Sequence, residues 1–230
     1  MPEIVLVAAL EREVAPLIKR SKRVNHEHDG RRYTFFEADD FVLTCGGIGA
    51  EAARRAAEAA IALYSPAAIH SVGFAGALQA GMNVGDIFVP AIVLDARDGS
   101  RIEIQGGSGV LVTFMRVASA QQKSKLALAY SAQAVDMEAA EVAISARAHG
   151  IRFSATKVIS DGFDFEMPEM DRFIDAQGRF HSTRFACFLA LRPWLWGSAI
   201  TLARNSSRAA KKLADYLTSH RHKAVEARAI

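Results

Sequence analysis

Apolar residues along this chain fall into short continuous runs separated by helical periods, the pattern of strands buried on both faces and alternating with helices. Residues 4–8 form the first such run, rich in β-branched side chains, and Leu10-Glu11-Arg12-Glu13-Val14 begins a helix that reaches about Lys19. Residues 33–38 and 41–44 read as two strands joined by a tight Asp39-Asp40 turn. Cys45-Gly46-Gly47-Ile48-Gly49 then leads into a helix expected from about Ala50 to Tyr64. Residues 67–72 give another buried strand, which runs into the small-residue stretch Gly73-Phe74-Ala75-Gly76-Ala77-Leu78. Further strand is expected over 85–90, 92–94 and 110–114, with helix over 121–130. A short strand closes at Val135, before an alanine-rich helix that runs to about His149. The last strand, 153–159, leads into Ser160-Asp161-Gly162-Phe163-Asp164, and the remainder is helical, with Pro193 opening a long final helix.

Alternating strands and helices of this kind predict an α/β fold, and no linker or repeat divides the chain, so residues 1–230 are read as one domain. Half the residues are hydrophobic and 23% are charged, the balance of an ordinary globular protein. The formal net charge is only +3. The basic residues gather toward the C-terminus, beyond Arg204. A solvated helix face explains that charge more simply than nucleic acid, since no aromatic–basic interleaving accompanies it. Cys45 and Cys187 lack a CxxC spacing and cannot frame a domain of this size, which suggests free thiols in a reducing cytoplasm. Glu11 interrupts the first apolar run too early for a signal peptide.

The chemistry-bearing residues cluster at strand ends. Asp136 and Glu138 flank Met137 at the start of the alanine-rich helix. Alone, they read as acids answering the positive end of a helix dipole. Asp161 follows a buried strand and reads alone as a turn or cap residue. Glu13 starts a helix directly after a strand, and the two glycine turns do the same at other strand ends. In an open α/β sheet those ends share one edge, where ligands bind.

Taken in order, these stretches resemble the nucleoside phosphorylase and nucleosidase superfamily, most of all the methylthioadenosine/S-adenosylhomocysteine nucleosidases. The resemblance is carried by residues 9–14, Gly46-Gly47-Ile48-Gly49, Gly73-Phe74-Ala75-Gly76-Ala77-Leu78 with Gly85-Asp86, Val135-Asp136-Met137-Glu138-Ala139 and Ile159-Ser160-Asp161. It implies a three-layer α/β/α sandwich around a twisted mixed sheet, and cleavage of an N-ribosidic bond. In that reading Asp161 protonates the purine and Ser160 orients it. Glu138 holds the ribose hydroxyls, Met137 packs under the sugar, and Glu13 positions or activates the nucleophile. Gly47, Gly49 and Gly73 are the candidates for phosphate or nucleophile binding. Such chemistry needs a carboxylate near the cationic sugar and an acid near the base. For Asp161 the expected source of a raised pKa is burial against Phe163 and apolar strand residues.

Three departures stand out. Phe74 occupies a position where these nucleosidases carry a small hydroxyl residue. The segment between Asp95 and Gln121 is short, leaving Phe114 and Phe163 as candidates for stacking on the base or as core residues. His70 and Ser71 stand where phosphorylases place an arginine, so phosphate would need another cation, such as Arg31 or Arg32. The apolar segment within residues 183–220 has two readings: an amphipathic helix pair covering the sheet, or a membrane-surface patch serving a lipid-linked substrate. The second points to the hopanoid-associated phosphorylase branch, hence to adenosylhopane as substrate, and to peripheral contact with the inner membrane surface. No metal or redox cofactor is expected; inorganic phosphate is a co-substrate if the reaction is phosphorolysis. By analogy the protein is expected to form a homo-oligomer.

Overall fold

The structure, a computed structural model, describes residues 3–166 and 170–226, with side chains described as far as residue 220. Its strands are β1 (Ile4–Ala8), β2 (Lys22–His28), β3 (Arg31–Glu37), β4 (Val42–Cys45), β5 (Ala68–Ala77), β6 (Ile87–Phe88), β7 (Ile92–Asp95), β8 (Arg101–Glu103), β9 (Val110–Thr113), β10 (Ala134–Asp136) and β11 (Arg152–Asp161). Its helices are α1 (Glu11–Ile18), α2 (Ala50–Tyr64), α3 (Ala120–Tyr130), α4 (Ala139–Ala148), α5 (Ser182–Ala190) and α6 (Trp196–Glu226), with 3₁₀ turns at Met170–Phe173 and Pro193–Leu195.

All the strands join one mixed sheet in the order β2-β3-β4-β1-β5-β10-β9-β7-β8, with β11 and then β6 branching from β5. The alternation of β1 sends its side chains to both faces. Val5 and Val7 pack with Ile69, Val42 and the alanines of α2, while Leu6 and Ala8 pack with Val72, Val158 and Leu213 of α6. Helices therefore cover the sheet on both sides, which is the three-layer arrangement expected. Alanines 52, 53, 56, 57, 59 and 60 of α2 are buried, and their small size lets the helix lie against α4 at Val142 and Ala146. On the opposite face α6 buries Ala209, Leu213 and Leu217, spaced four residues apart on one stripe.

Three strand regions differ from the sequence reading, and the final helix begins at Trp196, after a 3₁₀ turn at Pro193–Leu195, rather than at Pro193. The edge strand β2 was not expected, because its sequence, KRVNHEH, is polar and buries little. It is held as a hairpin on β3, in register from Lys22 opposite Glu37 to His28 opposite Arg31. The glycine-rich stretch after residue 72 is not a loop but the second half of β5, paired with β11 as far as Gly76. Ser160 and Asp161 likewise belong to β11, beyond a register shift between Ile159 and Asp161. The third difference is β8, whose three residues are too short to give a period.

The central strand changes partners along its length. Residues 68–71 of β5 pair in parallel with β1, whereas Gly76 and Ala77 pair antiparallel with β10. Where β1 ends and β10 takes over, the sheet forks. A cleft opens at that fork.

Candidate active site

The cleft, about 130 Å³, is lined from four directions. Arg12 and Glu13 of α1 and Ile48 of the glycine turn form one side. Phe74 to Gly76 of β5 form the floor, Asp136, Met137 and Glu138 a second wall, and Ser160 and Asp161 a third. Residues 116–118 and the 3₁₀ turn at Met170, with Ile174, close the rim. Glu13, Phe74, Met137, Glu138, Ser160 and Asp161 thus converge as the sequence reading required. Phe114 and Phe163 do not line the cleft. Phe114 packs instead on the Leu78, Leu94, Val112 cluster, leaving Phe74 as the aromatic that lines the cleft among the described residues.

Local backbone geometry seats each acid. Glu13 is 6% exposed and approaches Gly73 so closely that a Cβ there would stand 2.4 Å from its Oε2; Gly73 also has φ +141°. The Phe74 N–H lies 3.4 Å from the same oxygen. Burial pushes the Glu13 carboxyl up to about 7, against the lowering pull of Lys157, Arg12 and that N–H. Glu138 accepts from the Gly49 N–H at 2.8 Å. Burial, followed by repulsion from Asp136, pushes its carboxyl up to about 8.

Behind these two acids lies a buried cation that the sequence reading missed. Lys157 of β11 places Nζ 2.9 Å from Asp136 Oδ2 and donates to Ser71 Oγ at 3.0 Å. Its burial opposes the charge, yet Asp136, Glu138 and Glu13 together hold its pKa above the ordinary lysine value. Asp136 also accepts from Thr113 Oγ1 at 2.7 Å and from the Ala139 N–H at 2.9 Å, so it caps α4 as well as pairing Lys157. A lysine inside a strand run whose other residues, 153–160, are uncharged was the available signal, since charges are seldom buried unpaired.

Asp161 stands differently from expectation. Its surroundings are not chiefly apolar: Ser160 Oγ donates to Oδ1 at 2.6 Å, and Lys123 Nζ of α3 lies 2.5 Å from Oδ2. The bulge in β11 allows adjacent residues 160 and 161 to meet in this way.

The glycine turn also has a different role from the one expected of Gly47 and Gly49. The Gly46, Gly47 and Ile48 N–H groups donate to the carbonyls of Ala8, Ala9 and Gly178, and that of Gly49 to Glu138. Its donors are spent on seating β1 and Glu138 rather than turned toward an anion. Arg31 and Arg32 line a separate basic hollow with Arg55 and Arg179.

Residues 3–109 and 101–190 match the family model described as the phosphorylase superfamily. No curated protein sequence matches the chain. Several solved structures resemble it over nearly its whole length. A Helicobacter pylori 5′-methylthioadenosine/S-adenosylhomocysteine nucleosidase, solved with butyl-thio-DADMe-Immucillin-A, is 16% identical, with TM-score 0.71 over 97% of this chain and 99% of that one. Futalosine hydrolase from the same organism is 16% identical with TM-score 0.71, covering 96% of this chain and 98% of the other. The Arabidopsis thaliana 5′-methylthioadenosine nucleosidase is 18% identical with TM-score 0.72, over 95% of both chains.

Proposed function

The chain belongs to the phosphorylase superfamily, and from that premise we propose that it cleaves the N-ribosidic bond of a 5′-modified adenosine and releases adenine. The observation that carries this reading is the division of acids within one cleft. Glu13 and Glu138 share the charge of Lys157, whereas Asp161 is paired with Ser160 and Lys123. Bond cleavage builds positive charge on the sugar and negative charge on the base, and separated groups answer each charge. In this assignment Glu138 binds the ribose hydroxyls, Met137 packs beneath the ring and Asp161 delivers a proton to the purine.

The nucleophile in this reading is water. The N–H groups of the glycine turn are bonded within the protein, which leaves phosphate without that cradle. A carboxyl that titrates near 7 is matched to accepting a proton from water at neutral pH, and Glu13 has that property.

The 5′ substituent is read as large and apolar, as in adenosylhopane. Two features support it. Met170 and Ile174 line the cleft rim, and Phe173 of the same 3₁₀ turn packs edge-on against Phe185 and Phe188 of α5. Beyond it Leu191, Trp194, Trp196 and Ile200 are exposed, at 77%, 75%, 51% and 52%. No single described helix is long and apolar enough to cross a membrane; α5 and α6 reach that composition only together, across a bend of 116°. An exposed apolar corner flanked by Arg184, Arg192 and Arg204 suits peripheral contact with an anionic membrane surface. A homo-oligomer is part of the same proposal, by analogy with the superfamily.

Adenine release from adenosine, methylthioadenosine and adenosylhopane, each with and without phosphate, tests the reading. Phosphate-independent release that is fastest from adenosylhopane supports it. Phosphate dependence overturns the assignment of water, and preference for methylthioadenosine makes the protein a small-nucleoside nucleosidase. No release from any of the three, with adenosine still bound, makes it a binding protein. Asp161→Asn should lower turnover by about 1,000-fold or more, to a residual rate that is still measurable, while leaving adenosine binding within a few-fold.

A further inference from the structure

We propose that Lys123 holds the proton that Asp161 delivers, so that the two side chains act as one acid toward the leaving base; this rests on the N-ribosidic reading above. Lys123 is 1% exposed. Its Nζ lies 2.5 Å from Asp161 Oδ2 and donates to the Gly162 carbonyl at 2.6 Å, while Ser160 Oγ donates to Asp161 Oδ1. Both oxygens of Asp161 therefore accept hydrogen bonds, and the nearest transferable proton sits on the lysine.

The position is held for charge rather than packing. Lys123 lies in the first turn of α3, whose start is set by the Ser119–Gln122 capping box. A cation there faces the unfavourable end of the helix dipole. Burying an ammonium group costs several kcal/mol as well. A methionine would fill the same space at neither cost. The floor of the cleft is also shaped around the pair: a Cβ on Gly76 would stand 2.9 Å from Asp161 Oδ2 and 3.2 Å from Lys123 Cε.

The step balances as follows. As the C1′–N9 bond breaks, its electron pair moves onto the purine, and a ring nitrogen takes a proton from Asp161. Lys123 resupplies that proton, leaving a neutral amine beside a carboxylate. The attacking water bonds to C1′ and gives its proton to Glu13, and exchange with solvent restores both groups. Among the described residues, Arg12, Glu13, Asp136, Glu138 and Arg116 line the same cleft, and the Asp164 carboxylate lies beside Gly162. Asp171 accepts from the Val117 N–H beside the start of α3.

The test is adenine release by the wild type and Lys123→Met. With the lysine present, the pair supplies the proton; with methionine, Asp161 has no neighbour to resupply it. The expected result is a kcat lower by about 100-fold or more with KM within a few-fold. An unchanged kcat, or a loss confined to KM, overturns the proposal. Because Lys123→Met leaves Asp161 unpaired, Lys123→Met/Asp161→Asn is measured beside Asp161→Asn. A double variant no slower than Asp161→Asn supports one acid unit, and multiplied losses overturn it. Wild-type protein that releases no adenine overturns the N-ribosidic reading itself; a fast Lys123→Met overturns only the role of Lys123.

Discussion

Replacing Lys157 by methionine removes a buried cation that Asp136, Glu138 and Glu13 share. Lys157 is 1% exposed, and the Asp136 carboxylate it pairs lies 2.9 Å away and is itself buried. Methionine fills the volume of the stem, so the loss is electrostatic rather than a cavity. Breaking a buried pair from one side costs about 3–5 kcal/mol, because a buried charge is left uncompensated. At this chain length each kcal/mol moves the melting point by a few degrees, so the fall should be about 6–20 °C. Calorimetry or urea unfolding measures it. The companion Lys157→Met/Asp136→Asn variant removes both charges and should recover more than half of the loss. Lys157 is also the strongest influence lowering Glu13 after burial has raised it. The acid limb of kcat/KM in Lys157→Met should therefore move to higher pH. A loss below about 1 kcal/mol, the size of an exposed pair, or a double variant no more stable than the single one, would refute the argument.

The ligand-free protein should lose stability as pH rises through neutrality. Glu13 and Glu138 are raised to about 7 and about 8, so the folded state holds protons that the unfolded chain has released. Their contribution is complete below the ordinary carboxyl value of 4.5 and disappears as pH passes 7 and 8. The slope approaches about 1.4 kcal/mol per pH unit for each group. Melting temperatures at pH 5.5 and 8.5, flattened by Glu13→Gln/Glu138→Gln, check this; a rise with pH contradicts it. Gly73→Ala, whose Cβ would meet Glu13 Oε2 at 2.4 Å, should lower kcat about 100-fold through a displacement of that carboxylate. Steady-state kinetics on folded variant protein decides it. Arg97→Met should cost about 2 kcal/mol in urea unfolding, less than a fully buried pair because Arg97 is partly exposed. It strands Asp95, which Arg97 Nη2 reaches at 2.5 Å, and buried Glu141, which it also pairs.

The local order of this protein was legible in its sequence wherever burial imposed a period. The bounds of α2, Ala50–Tyr64, and of β1, Ile4–Ala8, follow the apolar pattern residue by residue. The strands that escaped, β2 and β8, are the ones whose side chains face mostly solvent, so that hydrogen bonding to a neighbour and not burial makes them strands. Glycines misled for a related reason. Residues 73–77 look like a turn, yet the crowding of Glu13 against Gly73 and of Lys123 and Asp161 against Gly76 calls for a strand without side chains there.

The acids of the cleft were legible as well, because Glu13 and Glu138 each follow a strand, Asp161 ends one, and strand ends share an edge. What the sequence by itself determined is thus the set of strand-end carboxylates and the elements that carry them. Tertiary structure alone decided what surrounds them. Lys123 comes from the polar run SAQQKSK and Lys157 from within a strand, and no local pattern says which carboxylate either will meet. Lys123 lies 38 residues from Asp161 in sequence and 2.5 Å from it in space. Ion pairing depends on distance through space and on exclusion of water, and both exist only once the sheet has forked and the helices have closed over it.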